Sequence, residues 1–280
     1  MAAAPLRLKM KIEALAKINL TLEVFGLRPD GYHGLRSVVM PISLGDELEI
    51  EDALALTSDT GYSDDLCLKA AKVLEPTRGA AIHVEKHIPA GGGLGGGSAD
   101  AAATLLALND VWGLMHTRAE LVELAAQVGS DVPALVHGGA VVMEGRGEKV
   151  RPLETVRPFD LVLVNPGVHT STAAVYREAT SRTEIDSLVL GNMLSALAAG
   201  DRARIAAALQ NDLTAPAVRL HPEIGALLAE LRATEEVLGA SMTGSGSTVF
   251  GIVTDADAAR RIAVQFENRG FLAWAAVTRG

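Results

Sequence analysis

From Lys17 to Val24 the chain alternates. Ile18, Leu20, Leu22 and Val24 are apolar, and Lys17, Asn19, Thr21 and Glu23 between them are polar. A period of two predicts a strand with one buried face and with Lys17 and Asn19 side by side on the other. The wider stretch LKMKIEALAKINLTLEVFGL reads as one or two strands, and Asp30-Gly31 after a proline marks a turn. SVVMPISLGDELEIED reads as further strand, with Gly45-Asp46 as a turn. SDDLCLKAAKVLEPTRG has helical spacing, with Ser63 or Asp64 as its cap and Pro76 and Gly79 as stop signals. AAIHVEKHI is a strand that runs into PAGGGLGGGSADAAATLLALN, where an alanine-rich helical pattern follows a glycine run without a pause.

Helices are expected in SADAAATLLALNDVWG and in TRAELVELAAQVG, the second opened by a capping box of Thr117 and Glu120. SDVPALVHGGAVVMEGRGEKVRPL predicts a short turn or helix start, then strands around Gly138-Gly139. FDLVLVNP is a strand, and STAAVYREAT, DSLVLGNMLSALAAG, DRARIAAALQNDL and HPEIGALLAELRAT are helical. EVLGASMTGSGSTVFGIVTD reads as strand, glycine turn, strand; DAARRIAVQFENRG is a helix and FLAWAAVTR a last strand. Hairpins mixed with helices make this an α+β chain rather than a strict βαβ alternation. A domain boundary is expected within residues 151–158, dividing the chain into 1–155 and 156–280.

Composition bears on function mainly by exclusion. At 280 residues and 49% hydrophobic, the chain has core enough for one large or two modest domains. A net charge of -9 argues against nucleic acid as the main partner, although backbone amides can still bind a phosphate. Cys67 is the sole cysteine, so neither an intramolecular disulfide nor a cysteine zinc site is available, which fits a reducing cytoplasm. The first residues lack the apolar core of a secretory signal, and no run is long enough to span a membrane. The seven histidines show no metal-ligand spacing.

The glycine run poses the chemical question. Six of the seven positions Gly91 to Gly97 are glycine, broken only by Leu94. Bare backbone allows close approach and positive φ, and a helix directly behind it offers unpaired N–H groups and the positive end of its dipole. Together these make an anion site, with Ser98 as the expected N-cap. The P-loop pattern fails because no Lys-Ser/Thr follows, and the protein-kinase loop fails with it. Gly91, Gly93 and Gly96 do fit GxGxxG, but a glycine run satisfies many patterns, and the acidic strand end that a dinucleotide fold wants is missing. A packing loop with no ligand is the plain structural alternative. Asp131 in GSDVPA reads first as a helix N-cap with Pro133 behind it, and only second as a base for phosphoryl transfer. Tyr32-His33 suits stacking and hydrogen bonding to a base, or merely an exposed loop. MTGSGSTVF is a second glycine turn, with Gly244 and Gly246 expected at positive φ.

PAGGGLGGGSADAA resembles the ATP-binding motif of the GHMP kinases. AKINLTLEVFGLRPDGYH, NPGVHTSTAAVY and MTGSGSTVFGIV resemble segments of the branch of that superfamily that acts on a cytidine diphosphate-linked methylerythritol in non-mevalonate isoprenoid synthesis. The resemblance runs from about residue 9 to the C-terminus. It implies a two-domain GHMP kinase fold with the active site in the inter-domain cleft, ATP and Mg²⁺ as cofactors, and a monomer or weak homodimer. It implies Lys17 and Asp131 as the catalytic pair: Asp131 would act on the attacking hydroxyl and Lys17 on charge at the transferring phosphoryl group. Pro89, Ala90, Gly91, Gly92, Gly93, Leu94, Gly95, Gly96, Gly97, Ser98 and Ala99 would surround the ATP phosphates. Asn19 would touch the substrate, Tyr32, His33, Thr172 and Tyr176 would hold the cytosine, and Gly244, Ser245 and Gly246 would lie near its diphosphate. Asp100 adds a carboxylate close to where phosphate should sit, and no metal ligand maps onto the chain. A kinase of another small alcohol such as mevalonate or homoserine, a non-catalytic nucleotide-binding protein and an NAD-dependent dehydrogenase all stay open on the residues alone.

Overall fold

In the computed structural model residues 8–154, 156–183 and 186–280 are described. The early strands are two long ones, β1 (Lys9–Leu27) and β2 (His33–Ala53), antiparallel along almost their whole length. Gly45-Asp46 is therefore no turn: both residues lie inside β2, opposite Leu15 and Ala14. The bend expected there is a strand irregularity, because the pairing jumps from Leu15–Gly45 to Lys17–Pro41. Gly45 is needed for close approach, since a Cβ on it would stand 2.9 Å from Glu13 Cγ.

The strands β3 (Thr57–Ser58) and β4 (Gly79–Glu85) flank α1 (Leu66–Leu74). The cap of α1 is Asp65 rather than Ser63 or Asp64; its carboxylate accepts from the amides of Cys67 and Leu68. Next come α2 (Gly96–Val111), α3 (Arg118–Ala125) with both halves of the Thr117–Glu120 capping box formed, α4 (Val132–His137), β5 (Val141–Gly145) and β6 (Lys149–Pro152). The remaining elements are β7 (Asp160–Asn165), α5 (Thr172–Arg177), α6 (Ser187–Ala199), α7 (Arg202–Ala207), β8 (Gln210–Asn211), α8 (Thr214–Leu220), α9 (Pro222–Ala233), β9 (Val237–Met242), β10 (Val249–Val253), α10 (Ala256–Glu267) and β11 (Leu272–Val277). The helix expected through DRARIAAALQNDL stops early, because Gln210–Asn211 pair parallel to Thr21–Leu22.

Two sheets organise these elements. One runs β3-β4-β2-β1-β8, with β5 beside β2 and β6 beside β5; the other runs β11-β7-β10-β9. Strands before residue 155 lie in the first sheet and those after it in the second, apart from β8. Residue 155 itself lies outside the described residues, as does the start of the segment scanned for a signal. Helix α2 is apolar on almost every side and sinks into the first core with Ile18, Leu20, Leu105 and Leu108. The structure corrects the one-sided reading of β1. Residues from Ala16 to Val24 are buried on both faces, and Lys17 and Asn19 are only 3% and 2% exposed, because the loops before α2 and between β9 and β10 cover the polar face. Among the described residues no helix is long and apolar enough to cross a membrane.

Candidate active site

Lys17 is buried but not unpaired. Its Nζ donates to Asn19 Oδ1 at 2.7 Å and to the Gly93 carbonyl at 3.0 Å, and lies 3.5 Å from Asp131 Oδ2. Asn19 ties the ammonium to the second glycine turn: its Oδ1 also accepts from the Gly244 amide at 2.9 Å, and its own amide donates to Thr243 Oγ1. Its Nδ2 donates to Ser37, so every polar atom of this buried side chain is used. Asp131 stands at the N-cap position of α4, yet its carboxylate caps nothing and turns to Lys17 instead. It is the more open partner, its side chain 31% exposed against 3% for Lys17.

Helix α2 starts two residues before the serine expected to cap it. Gly95, at φ +73, is the N-cap, and Ser98 lies in the first turn. No side chain caps this helix, and the first amide bonded back into it is that of Ala99, to the Gly95 carbonyl at 2.8 Å. The amides of Gly96, Gly97 and Ser98 are thus without helical partners at the positive end of a 16-residue helix. A Cβ on Gly95 would press on Lys17 Cε at 3.1 Å, so this glycine lets the helix end abut the Lys17–Asp131 pair.

The glycines divide into two uses. Gly91 and Gly93 are bare because protein fills the space: a Cβ would meet the His169 ring at 2.0 Å or the Thr243 carbonyl at 2.2 Å. Gly97 is uncrowded, since a Cβ on it would meet only Leu66 Cδ1, at an ordinary contact distance of 3.7 Å. The second glycine turn presses on the first, with Gly244 and Gly246 both at positive φ and a Cβ on Gly244 only 2.8 Å from the Gly93 carbonyl. Thr170 Oγ1 fastens the two by donating to the carbonyls of Gly246 and Gly91.

These parts line one cleft of about 1390 Å³. The loop from Pro89 to Ser98, Lys17, Asn19 and Asp131 form its middle, and Gly244 and Ser245 reach it. Tyr32, His33, Thr172 and Tyr176 line it too, with the His33 and Tyr176 rings 5.7 Å apart. His33 Nδ1 lies 3.0 Å from the Phe25 carbonyl and so donates to it, leaving Nε2 as an acceptor. Burial pushes the Tyr176 hydroxyl well above its usual value, with the nearby Asp131 charge adding to the effect, so it stays protonated. Ala99 is buried in α2 and Gly246 packs on Met242, so neither faces the cleft. Thr172 Oγ1 and Ser245 Oγ are 2.9 Å apart.

Sequence reasoning missed three parts of the lining. Lys86 directly follows β4, shortly before the glycines, and bonds both Asp46 and Asp100. Asp100, flagged as a carboxylate too near the phosphates, is 2% exposed and already paired; burial pushes its acid up against the pull of Lys86. Arg146 lies over the Tyr32 ring at 5.2 Å, and no motif marks it. The segment from Thr60 to Leu66 adds a further stretch of wall.

Two family models match the chain: the GHMP kinases N-terminal domain over residues 65–139 and the GHMP kinases C-terminal domain over residues 193–271. The 4-diphosphocytidyl-2-C-methyl-D-erythritol kinase of Pelotomaculum thermopropionicum is 41% identical over 267 residues, 91% of this chain and 93% of its own. The protein of the same name from Symbiobacterium thermophilum is 40% identical over 277 residues, 95% and 98% of the two chains. The chain belongs to the 4-diphosphocytidyl-2-C-methyl-D-erythritol kinase family. A solved 4-(cytidine 5'-diphospho)-2C-methyl-D-erythritol kinase superposes on it with a TM-score of 0.83 at 36% identity, covering 97% of this chain and all of the other. A homoserine kinase from Cytophaga hutchinsonii, at 18% identity and a TM-score of 0.71, shares the fold alone. The protein is thus a small-molecule kinase of the GHMP fold that uses ATP.

Proposed function

We propose that this kinase transfers the γ-phosphoryl group of ATP to the 2-hydroxyl of 4-diphosphocytidyl-2-C-methyl-D-erythritol, releasing ADP and the 2-phosphate. The observation that carries the reading is the Lys17–Asp131 pair, 3.5 Å apart, held against the uncapped start of α2 in a cleft that also contains the Tyr32, His33 and Tyr176 rings. One part of that cleft suits a polyphosphate, one a proton transfer and one a planar base.

In this reading the amides of Gly96, Gly97 and Ser98 bind phosphate oxygens, and Lys17 stabilises the charge spread over the transferring group. Asp131 orients the attacking hydroxyl and takes its proton. The more open member of the pair is the one that must touch the substrate, as its exposure allows. Tyr32 and Tyr176 sandwich the cytosine, and His33 Nε2 accepts from its exocyclic amino group. Thr172 lies beside Tyr176 on the cytosine side, and Asn19, Gly244 and Ser245 lie toward the diphosphate of the alcohol. Much of the catalytic gain is positioning, because phosphoryl transfer asks little covalent chemistry of the protein.

Magnesium is part of the proposal. Among the described residues no cluster of three or more His, Cys, Asp or Glu side chains is placed to hold a metal. The ion would be carried by phosphate oxygens and water and would neutralise phosphate charge, leaving the Asp131 carboxylate to the attacking hydroxyl. We also propose a division into units 1–155 and 156–280, and a cytoplasmic site of action in keeping with the single buried thiol of Cys67.

The test is an ADP-release assay with Mg-ATP that offers the cytidylyl alcohol beside mevalonate and homoserine. Turnover with the cytidylyl alcohol alone is expected. Turnover with another alcohol would retain the kinase chemistry and remove the role given to Tyr32, His33 and Tyr176.

A further inference from the structure

The glycine loop is the part of the cleft least able to hold its own shape, since glycine loses more conformational freedom on ordering than any other residue. Its two ends meet at one buried point. Asp46, fully buried in β2, accepts the amides of His87 and Ile88 on Oδ1 at 2.5 and 2.8 Å, directly before the loop. Its Oδ2 accepts from Lys86 Nζ at 2.5 Å. The same ammonium donates to Asp100 Oδ2 at 2.6 Å, on the far side of the loop and inside α2. Lys86 and Asp100 are fourteen positions apart in the chain, and a single nitrogen closes the segment into a ring. The other carboxylate oxygen of Asp100 is buried without a partner.

Such a cluster is a poor device for stability. Two carboxylates share one ammonium, the cost of taking them from water is high, and an apolar replacement would serve the core as well or better. What the cluster does uniquely is fix where the loop begins and ends relative to β2. We propose that Asp46, Lys86 and Asp100 form a clasp that pre-sets the loop for the nucleotide, with Asp46 and Asp100 as positioning residues for ATP. This rests on the reading of the loop as the phosphate site.

Kinetics and deuterium exchange test it together. Asp46→Asn keeps an oxygen acceptor for the amides and removes the charge that holds Lys86; Asp100→Asn loosens the clasp from the helix side. Each is expected to raise KM for ATP roughly tenfold, the scale on which outer partners of a ligand-holding group act. Turnover at saturating ATP stays within about twofold and KM for the alcohol stays put, the pattern of lost binding rather than lost chemistry. Amides of residues 89–98 exchange faster, while β4 and the distal half of α2 keep wild-type protection. The proposal is overturned if both variants keep the wild-type KM for ATP and wild-type exchange in 89–98. It is equally overturned if kcat, both KM values and protection across the first sheet decline together, which is a general loss of structure. Should Asp46→Asn not fold, Asp100→Asn carries the same measurements. The exchange readout needs no turnover, so a wild-type enzyme inactive on the cytidylyl alcohol would refute the substrate reading and leave the clasp open to its own test.

Discussion

Replacing Asp131 with asparagine probes the site where structure and chemistry meet. The change keeps size and shape and removes one charge. Two unit charges 3.5 Å apart attract by about 5 kcal/mol at an effective dielectric of about 20. The carboxylate is about one-third exposed, so solvent reduces this figure for stability. Lys17 also keeps its bonds to Asn19 and the Gly93 carbonyl, so the ammonium is not left bare. The expected effect on thermal unfolding is accordingly small, a degree or two. Catalysis has no such reserve, because among the described residues Asp131 is the one carboxylate paired with Lys17. Loss of a positioned base costs on the order of 10²- to 10⁴-fold in rate, and the lower figure corresponds to about 2.7 kcal/mol of barrier. The assay is ADP release at saturating Mg-ATP and alcohol, with a thermal melt on the same samples. kcat should fall by at least about 10²-fold while both KM values move only a few-fold. A variant with kcat within tenfold of wild type and an unchanged melt would refute the assignment of Asp131 as base.

Three further outcomes follow from particular contacts. Tyr32→Ala should raise KM for the cytidylyl alcohol roughly tenfold with little change in kcat, in line with the worth of one stacked base; a rise in KM for ATP instead would place the ring on the other substrate. Gly93→Ala should destabilise the fold by at least about 2 kcal/mol in a denaturant titration, since it meets backbone at 2.2 Å and holds φ +76, whereas Gly97→Ala should stay within about 0.5 kcal/mol. Burial works against the Asp212 carboxylate, but hydrogen bonds from Arg182 and the Val24 amide outweigh it and hold its pKa below the usual value. Its stabilising contribution is therefore full above about pH 4 and is lost as pH falls through the depressed folded value. Asp212→Asn should flatten the acid limb of a stability-against-pH curve, and an unaltered limb would show the pair to be inert.

What could be read in advance follows how locally each feature is determined. The Thr117–Glu120 capping box needs only its own four residues, and it formed as expected. The two glycine turns announce themselves, and Gly244 and Gly246 take the positive φ that a turn of that composition implies. Alternation in β1 identified the strand but not its surroundings, because the group covering Asn19 is Thr243, 224 residues away. A periodic pattern records which face is apolar and is silent on whether the polar face is also roofed. Gly45-Asp46 misled for the opposite reason: turn chemistry was present, but Gly45 serves close packing on Glu13 and Asp46 serves the amides after β4. Ser98 was a sound cap by type, yet a left-handed Gly95 starts the helix earlier. Lys86 and Arg146 carried no signal, since each is defined by partners brought in from other strands and helices.

The contact between the two glycine turns has a consequence for how this protein can change. Gly93 and Gly244 occupy space that only hydrogen atoms can share, and Thr243 fills what is left. A side chain gained at one position has no room unless the other turn retreats, so such changes are accessible in pairs and seldom singly. Gly244 also supplies an amide to Asn19, which orients Lys17, so a retreat would carry the reactive pair with it. The middle of the cleft is thus closed to gradual remodelling. New acceptor alcohols are better sought through the aromatic rim, where Tyr32 is half exposed.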